Sequence, residues 1–237
     1  MADRMQAESG EPRRQVVNFA FFKALPDWRR LPPQQKQELR REFAGVIGKW
    51  RDSEQMKVIS YSLAGLRADC DMMLWRICYS LDCLQQMHAE LMATRLGSYL
   101  ATPYSYLAMT RHSQYQIGHG HEHVERGVLK CGVAKYACIH PYMKTRAWYQ
   151  LPFEERQRIV NEYISVARDF PRVRLNTTFS FGLDDQEFVL AFESDHPADF
   201  VDLVMRLRET ENSLYTTDTP LFTCLQCSVD EMLERLG

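Results

Sequence analysis

Four groupings of residues in this chain could do chemistry. Tyr163 falls in the middle of an apolar stripe drawn by Ile159, Tyr163, Val166, Ala167 and Phe170 at helical spacing. A phenol on an inward helical face can donate a hydrogen bond, and once it loses a proton of reference pKa about 10 it can ligate iron as tyrosinate. His140-Pro141-Tyr142-Met143-Lys144 places an imidazole and an ammonium four residues apart at a strand end, and Arg208 lies further along; such groups suit carboxylates. Gly118-His119-Gly120-His121-Glu122-His123 offers imidazoles and a carboxylate of the kind that zinc, nickel or copper accept. Cys224-Leu-Gln-Cys227 has the CxxC spacing once, where a metal or redox site wants a second pair or a helix N-terminus.

Each grouping also has a plain structural reading. Tyr163 reads first as a packed core residue, then as an iron ligand, and last as part of some other ligand pocket. A lone histidine such as His140 serves at a strand end as a hydrogen-bonded structural group, and Lys144 and Arg208 suit an ordinary surface. Ligands on a glycine-containing loop lose ordering entropy before they bind, so residues 118–123 read first as a loop over a pocket mouth. The CxxC pair reads as two thiols at the end of a C-terminal strand.

The elements that would position these residues follow from periodicity. Val16–Ala24 is β-branched and aromatic and reads as a strand; Pro32-Pro33 opens a helix over Gln34–Trp50. Lys57–Leu63 is a strand, Asp69 or Asp71 caps a long helix running to about Thr94, and Tyr104–Thr110 is a closing strand. Further on come a strand at Lys135–Ile139, a helix at Pro152–Phe170, strands at Val173–Phe181 and Glu187–Phe192, a helix at Pro197–Glu211 and a strand at Pro220–Cys224. In the strand after the Tyr163 helix, Val173, Leu175, Thr177, Phe179 and Phe181 share the face expected to meet that helix.

This order approaches β-α-β-β-α-β twice over. The fold class expected is α+β, with two stacked ferredoxin-like halves of the dimeric α+β barrel type. The expected organisation is a disordered tail at 1–15, an N-terminal half at 16–110, a connecting loop at 111–130 and a C-terminal half at 131–237.

Composition narrows the function class. A formal charge of −2 with dispersed Lys and Arg gives no basic footprint for nucleic acid. No apolar run approaches the roughly 20 residues that span a bilayer, and the polar N-terminus lacks a secretory h-region. Seven cysteines without a regular framework suit reduced thiols, so a cytoplasmic location is expected.

Several separate segments resemble the chlorite dismutase family, which includes the coproheme decarboxylases. They are Trp28-Arg-Arg-Leu-Pro32, Gly65-Leu-Arg-Ala-Asp69, Met73-Leu-Trp75, Lys144-Thr-Arg-x-Trp-Tyr149, Leu151-Pro-Phe-Glu-Glu-Arg156, Gly182-Leu-Asp-Asp185 and Leu207-Arg-Glu-Thr-Glu211. The resemblance implies a homopentamer, and haem or coproheme in the C-terminal half between helix and sheet. It implies an iron-ligating histidine at the position of Tyr163, and a distal Arg or Gln at Leu175, with Asn176 the alternative by one residue. It also implies a reactive tyrosine at the position of His140, with the neighbouring lysine retained as Lys144.

These departures bear on chemistry. Leu175 cannot supply a positive charge to an oxyanion. Without a tyrosine at 140 the decarboxylation has no evident oxidant, and Tyr142, beyond Pro141, is expected to point elsewhere. Arg156, about 10 Å along the helix, is the nearest cation in sequence that could stabilise a tyrosinate at 163. The expected function is a family chain that binds haem or a porphyrin with altered ligation through Tyr163, and is neither an active chlorite dismutase nor a coproheme decarboxylase. The alternative is a haem-free member acting as a structural, regulatory or protein-binding module. A third reading is a small-molecule binder using His140, Lys144 and Arg208 for an anionic ligand. Turnover of any substrate is left open.

Overall fold

The computed structural model describes residues 13–115, 129–217 and 219–237. The His119, His121 and His123 cluster and nearly all of the expected N-terminal tail lie outside the described residues.

The strands are β1 (Val16–Ala24), β2 (Lys57–Ser62), β3 (Met72–Cys78), β4 (Leu100–Met109), β5 (Tyr136–Tyr142), β6 (Arg174–Phe179), β7 (Phe188–Ser194) and β8 (Phe222–Gln226). The main helices are α1 (Pro33–Asp52), α2 (Leu81–Ala93), α3 (Phe153–Arg168), α4 (Ala198–Arg208) and α5 (Val229–Glu234). The order is therefore β-α-β-β-α-β twice, with α5 appended. Among the described residues, all eight strands close into one barrel in the ring order β1-β3-β2-β8-β5-β7-β6-β4. The expected fold class stands.

Strand sequence explains the layering. In β1, Val17, Phe19 and Phe21 point into the barrel, while Val16, Ala20, Phe22 and Ala24 face α1, α2 and α5. A strand covered on both faces reads as a continuous apolar run rather than an alternation. The same holds for β3, with Met73, Trp75 and Ile77 inside and Met72, Leu74 and Cys78 outside. This corrects the long helix expected from Asp69 or Asp71 to Thr94: the segment splits into β3 and then α2. An apolar run buried on two faces carries no period that distinguishes strand from helix. The actual N-cap of α2 is Ser80, whose side chain accepts from the Asp82 backbone N–H.

Over the other half of the ring, Cys138, Leu190 and Phe192 point outward and are covered by Phe200, Leu203 and Leu207 of α4 and by Tyr163 and Val166 of α3. The interior there is partly polar. Glu193 is buried and accepts from the backbone N–H of Gly132 at 2.7 Å and of Val133 at 3.3 Å, and from Asn176 Nδ2 at 2.9 Å. Burial raises the pKa of this carboxyl.

Barrel closure depends on two thin seams. Strands β2 and β8 share only Tyr61↔Gln226 and Ser62↔Leu225, and β4 meets β6 only at Met109↔Phe179. At the second seam side chains replace the missing ladder. The Leu107 N–H donates to Asp184 Oδ2 at 2.8 Å, and Gln186 Nε2 donates to Leu107 O at 3.4 Å. Gly182, at φ +72, makes the turn that carries Asp184 there.

Candidate functional site

The site is assembled from β5, β7, α3, α4 and the turn Glu211–Tyr215 that follows α4. In β5 the even residues face the helices, so His140 and Tyr142 share a side, their ring centroids 5.6 Å apart. Sequence reasoning turned Tyr142 away because of Pro141. The strand runs straight through the proline, and the i, i+2 rule keeps Tyr142 beside His140. Tyr142 also stacks on Phe188 at 4.8 Å.

Tyr163 meets this surface from α3. It packs in the same cluster as Leu175 and Phe192, on the inward face that its stripe requires. Burial alone pushes its pKa well above the ordinary tyrosine value, and no cation opposes that shift. Its hydroxyl is buried without a hydrogen-bond partner. Arg156, the cation expected on roughly the same helix face, lies instead against Phe153, 5.9 Å from that ring's centroid. Leu175 sits on the helix side of β6, whereas Asn176 faces the barrel interior and Glu193, which separates the two registers considered for that strand.

A cavity of about 60 Å³ opens at this junction. His140, Tyr142, Tyr163 and Arg208 all line it, so three of the residues singled out from sequence share one pocket with Tyr142. Leu190, Phe192, Val204 and Leu207 form its apolar wall, and Asn212, Ser213 and Thr216 its polar edge. The sequence reading missed these seven. The α4 contribution was legible from the spacing of Val204, Leu207 and Arg208, but the edge comes from an irregular turn with no periodic signal.

Lys144 is placed next to the pocket rather than in its lining. Its Nζ donates to Asn212 Oδ1 at 2.6 Å and to Thr216 Oγ1 at 3.0 Å, and lies 4.5 Å from the centroid of the Trp148 ring. Burial lowers its pKa to about 7, partly opposed by Glu187. Glu187 Oε2 accepts from the Lys144 backbone N–H at 2.8 Å and from the Tyr149 hydroxyl at 2.6 Å. The Lys144, Trp148 and Tyr149 positions thus act together to hold the turn after β5 against the turn after α4.

The CxxC thiols are unreactive by environment. Cys224 is fully buried and Cys227 half-buried, both thiols are free, and burial raises the pKa of each. Among the described residues no group of three or more His, Cys, Asp or Glu could hold a metal ion. No helix among them is long and apolar enough to cross a membrane.

Sequence and structure comparisons bear on this arrangement. The family model described as chlorite dismutase matches residues 36–227, most of the chain. The chain belongs to the chlorite dismutase family. It is 33% identical over 178 residues to a coproheme decarboxylase from Mycolicibacterium smegmatis, covering 74% of this chain and 75% of that protein. Chlorite dismutase from Candidatus Nitrospira defluvii, solved in complex with imidazole, superposes with a TM-score of 0.84 at 27% identity and covers 99% of each chain. A structure described as a heme-binding protein from Thermus thermophilus has a TM-score of 0.83 at 22% identity, over 94% of this chain and 95% of that one, a likeness of fold. Within the chlorite dismutase family fold, the pocket beneath α4 is where the phenol of Tyr163, the imidazole of His140 and the guanidinium of Arg208 converge.

Proposed function

We propose that this member of the chlorite dismutase family works without haem, as a ligand-binding or protein-binding module rather than as an iron enzyme. The observation that carries this reading is the state of Tyr163. An iron-ligating phenol has to be held as the anion, and this one is buried, protonated at neutral pH and without a cation that offsets its burial.

Space supports the same reading. Pockets for cofactor-sized ligands run to about 300–1,000 Å³, and the cavity here is about 60 Å³. Tyr142 and Phe192 are among the side chains that line and narrow it. No step of a haem reaction is therefore assigned to these residues. Leu175 supplies no charge for an oxyanion, and Tyr142, which does reach the pocket, is half-buried with its pKa raised by desolvation well above the ordinary value.

A second reading rests on one specific observation. The unpartnered Tyr163 hydroxyl, with His140 and Arg208 at the same cavity, suits a porphyrin held with altered ligation if the wall of α4 moves outward. Hemin titration separates the two. Wild-type protein is expected to give featureless, non-saturating absorbance; a saturable one-to-one complex with a tyrosinate-type charge-transfer band establishes the second reading instead. Tyr163→His is the sharper variant. Because the cavity itself is too small, it too should fail to give a histidine-type haem spectrum, and success there would show that only the ligand had been lost. The family-based expectation of a homopentamer belongs to the same proposal, and sedimentation of the purified chain tests it.

A further inference from the structure

We propose that residues 129–133 form a strap across one end of the barrel that opens as a unit of its own, and that the charge on Glu193 governs how often it opens. None of the residues involved lines the cavity between α3, α4 and β5.

The end in question is where β1, β2, β5 and β6 begin and where β3, β4, β7 and β8 finish. There Cys131 is buried in the cluster that fills the barrel interior, and Leu129 packs against the same cluster. Gly132 lies so close to β2 that a Cβ on it would meet Ile59 Cδ1 at 2.8 Å. The crossing is close, yet it contains no ladder. Among the described residues, no backbone group of the strap bonds to another backbone group.

Side chains at the surrounding strand ends hold it instead. Gln15 Oε1 accepts from the Leu129 N–H at 2.9 Å, and Lys57 Nζ donates to Cys131 O at 2.7 Å. Gln226 Nε2 donates to Gly132 O at 3.2 Å. Glu193 Oε1 accepts two strap N–H groups, from Gly132 at 2.7 Å and from Val133 at 3.3 Å. A segment tied only through side chains can let go while the strands around it stay paired, which is how local opening units behave.

Glu193 is 1% exposed, and burial is the largest influence on its carboxyl, raising its pKa above the ordinary carboxylate value. The Gly132 and Val133 N–H groups, Asn176 and Arg174 of β6 oppose that rise without cancelling it. Tyr61 of β2 and Cys131 of the strap also face the carboxyl, with Lys57 beside Cys131 and Cys224 of β8 beside Tyr61. From β5 the interior receives Ala137 and Ile139, neither of which ionises. In the open strap water reaches the carboxylate, so the closed form holds its proton more tightly. Protonation therefore favours closure. Opening grows as pH rises from the ordinary carboxylate range through the raised pKa, then levels off.

The test is amide hydrogen exchange by NMR on the full chain, wild type against Glu193→Gln, at a series of pH values. Taking the ratio of the two chains divides out the base catalysis of exchange. For the Gly132 and Val133 amides the ratio of wild type to variant should rise with pH, by no more than about tenfold per unit, the limit for one proton. A flat or falling ratio overturns the role given to Glu193. In wild type alone, the Glu193 carboxyl ¹³C shift should titrate above the ordinary carboxylate range, and titration at or below that range overturns it equally. Lys57→Met tests the strap as a unit. It should speed exchange at Gly132 and Val133 together by about tenfold or more, the loss expected for a charged hydrogen bond, and leave the Trp75 and Ile77 amides of β3 unchanged. An equal acceleration in β3 would show that the strap opens only with the whole barrel, and would overturn the proposal.

Discussion

At residue 163 a phenol and an imidazole would occupy similar space but present opposite electrical properties. A neutral imidazole ligates iron without losing a proton, while a phenol must ionise, and burial raises the cost of that ionisation. The surroundings of Tyr163 add only burial. Lys144 shows the same physics with the sign reversed. Its ammonium is buried, which lowers its pKa from 10.5 to about 7, so the unfolded chain holds this proton more tightly than the folded one. Stability should therefore rise with pH across the window from about 7 to 10.5, with the full penalty for the buried charge in place below 7. The stability of wild type minus that of Lys144→Met, from urea unfolding at a series of pH values, is expected to increase through that window. A flat difference would mean that the Asn212, Thr216 and Trp148 contacts fully compensate the ammonium for its lost hydration.

Elements act here mainly by what they bring to a seam. The Gly182-Leu183-Asp184-Asp185 turn reads in sequence as a hairpin loop with a family signature. In the fold its Asp184 carboxylate accepts the Leu107 N–H of β4 and the Gln186 Nε2 at 3.0 Å, closing the barrel where the strands share one residue pair. Hydrogen bonds from backbone to a charged acceptor are worth about 1.5–3 kcal/mol. Asp184→Ala should cost about that much and remove exchange protection from the Leu107 amide, and Asp184→Asn, which keeps an acceptor oxygen, should recover part of it. Unchanged exchange at Leu107 would show that the strand contact alone closes the seam. Arg158 pairs with Glu155 on its own helix and with Glu211 beyond α4, so the helix that carries Tyr163 is tied to the turn that edges the pocket.

On the scale of the whole molecule the two sets of strands share one interior. Phe222 of β8 lies 4.3 Å from Phe21 of β1 and 5.0 Å from Tyr104 of β4, measured between ring centroids, so the last strand packs against the first. Arg67 covers the same ring at 4.5 Å and is itself held by Asp69. Removing a buried phenyl ring costs about 3–5 kcal/mol. Phe222→Ala should lower stability by that amount and still melt in one transition, with far-ultraviolet dichroism and tryptophan fluorescence coincident. Two separated transitions would show that each set of strands holds together by itself and that the common interior adds little cooperativity.

The amino-acid sequence alone determined the order of most elements, the helical stripe through Tyr163, and the resemblance to the chlorite dismutase family. Those features are local or are carried by short motifs, and local periodicity is readable without neighbours. It did not determine that β3 is a strand, because burial on two faces erases the alternation that marks one. Nor did it place Tyr142 in the pocket, turn Lys144 toward Asn212, or set Asn176 against Glu193. The last two depend on which residues 17 to 72 positions away come to lie opposite, and only barrel closure decides that. The size of the cavity belongs to the same class: it is fixed by the packing of α4 against β5 and β7, and no stretch of chain encodes it separately.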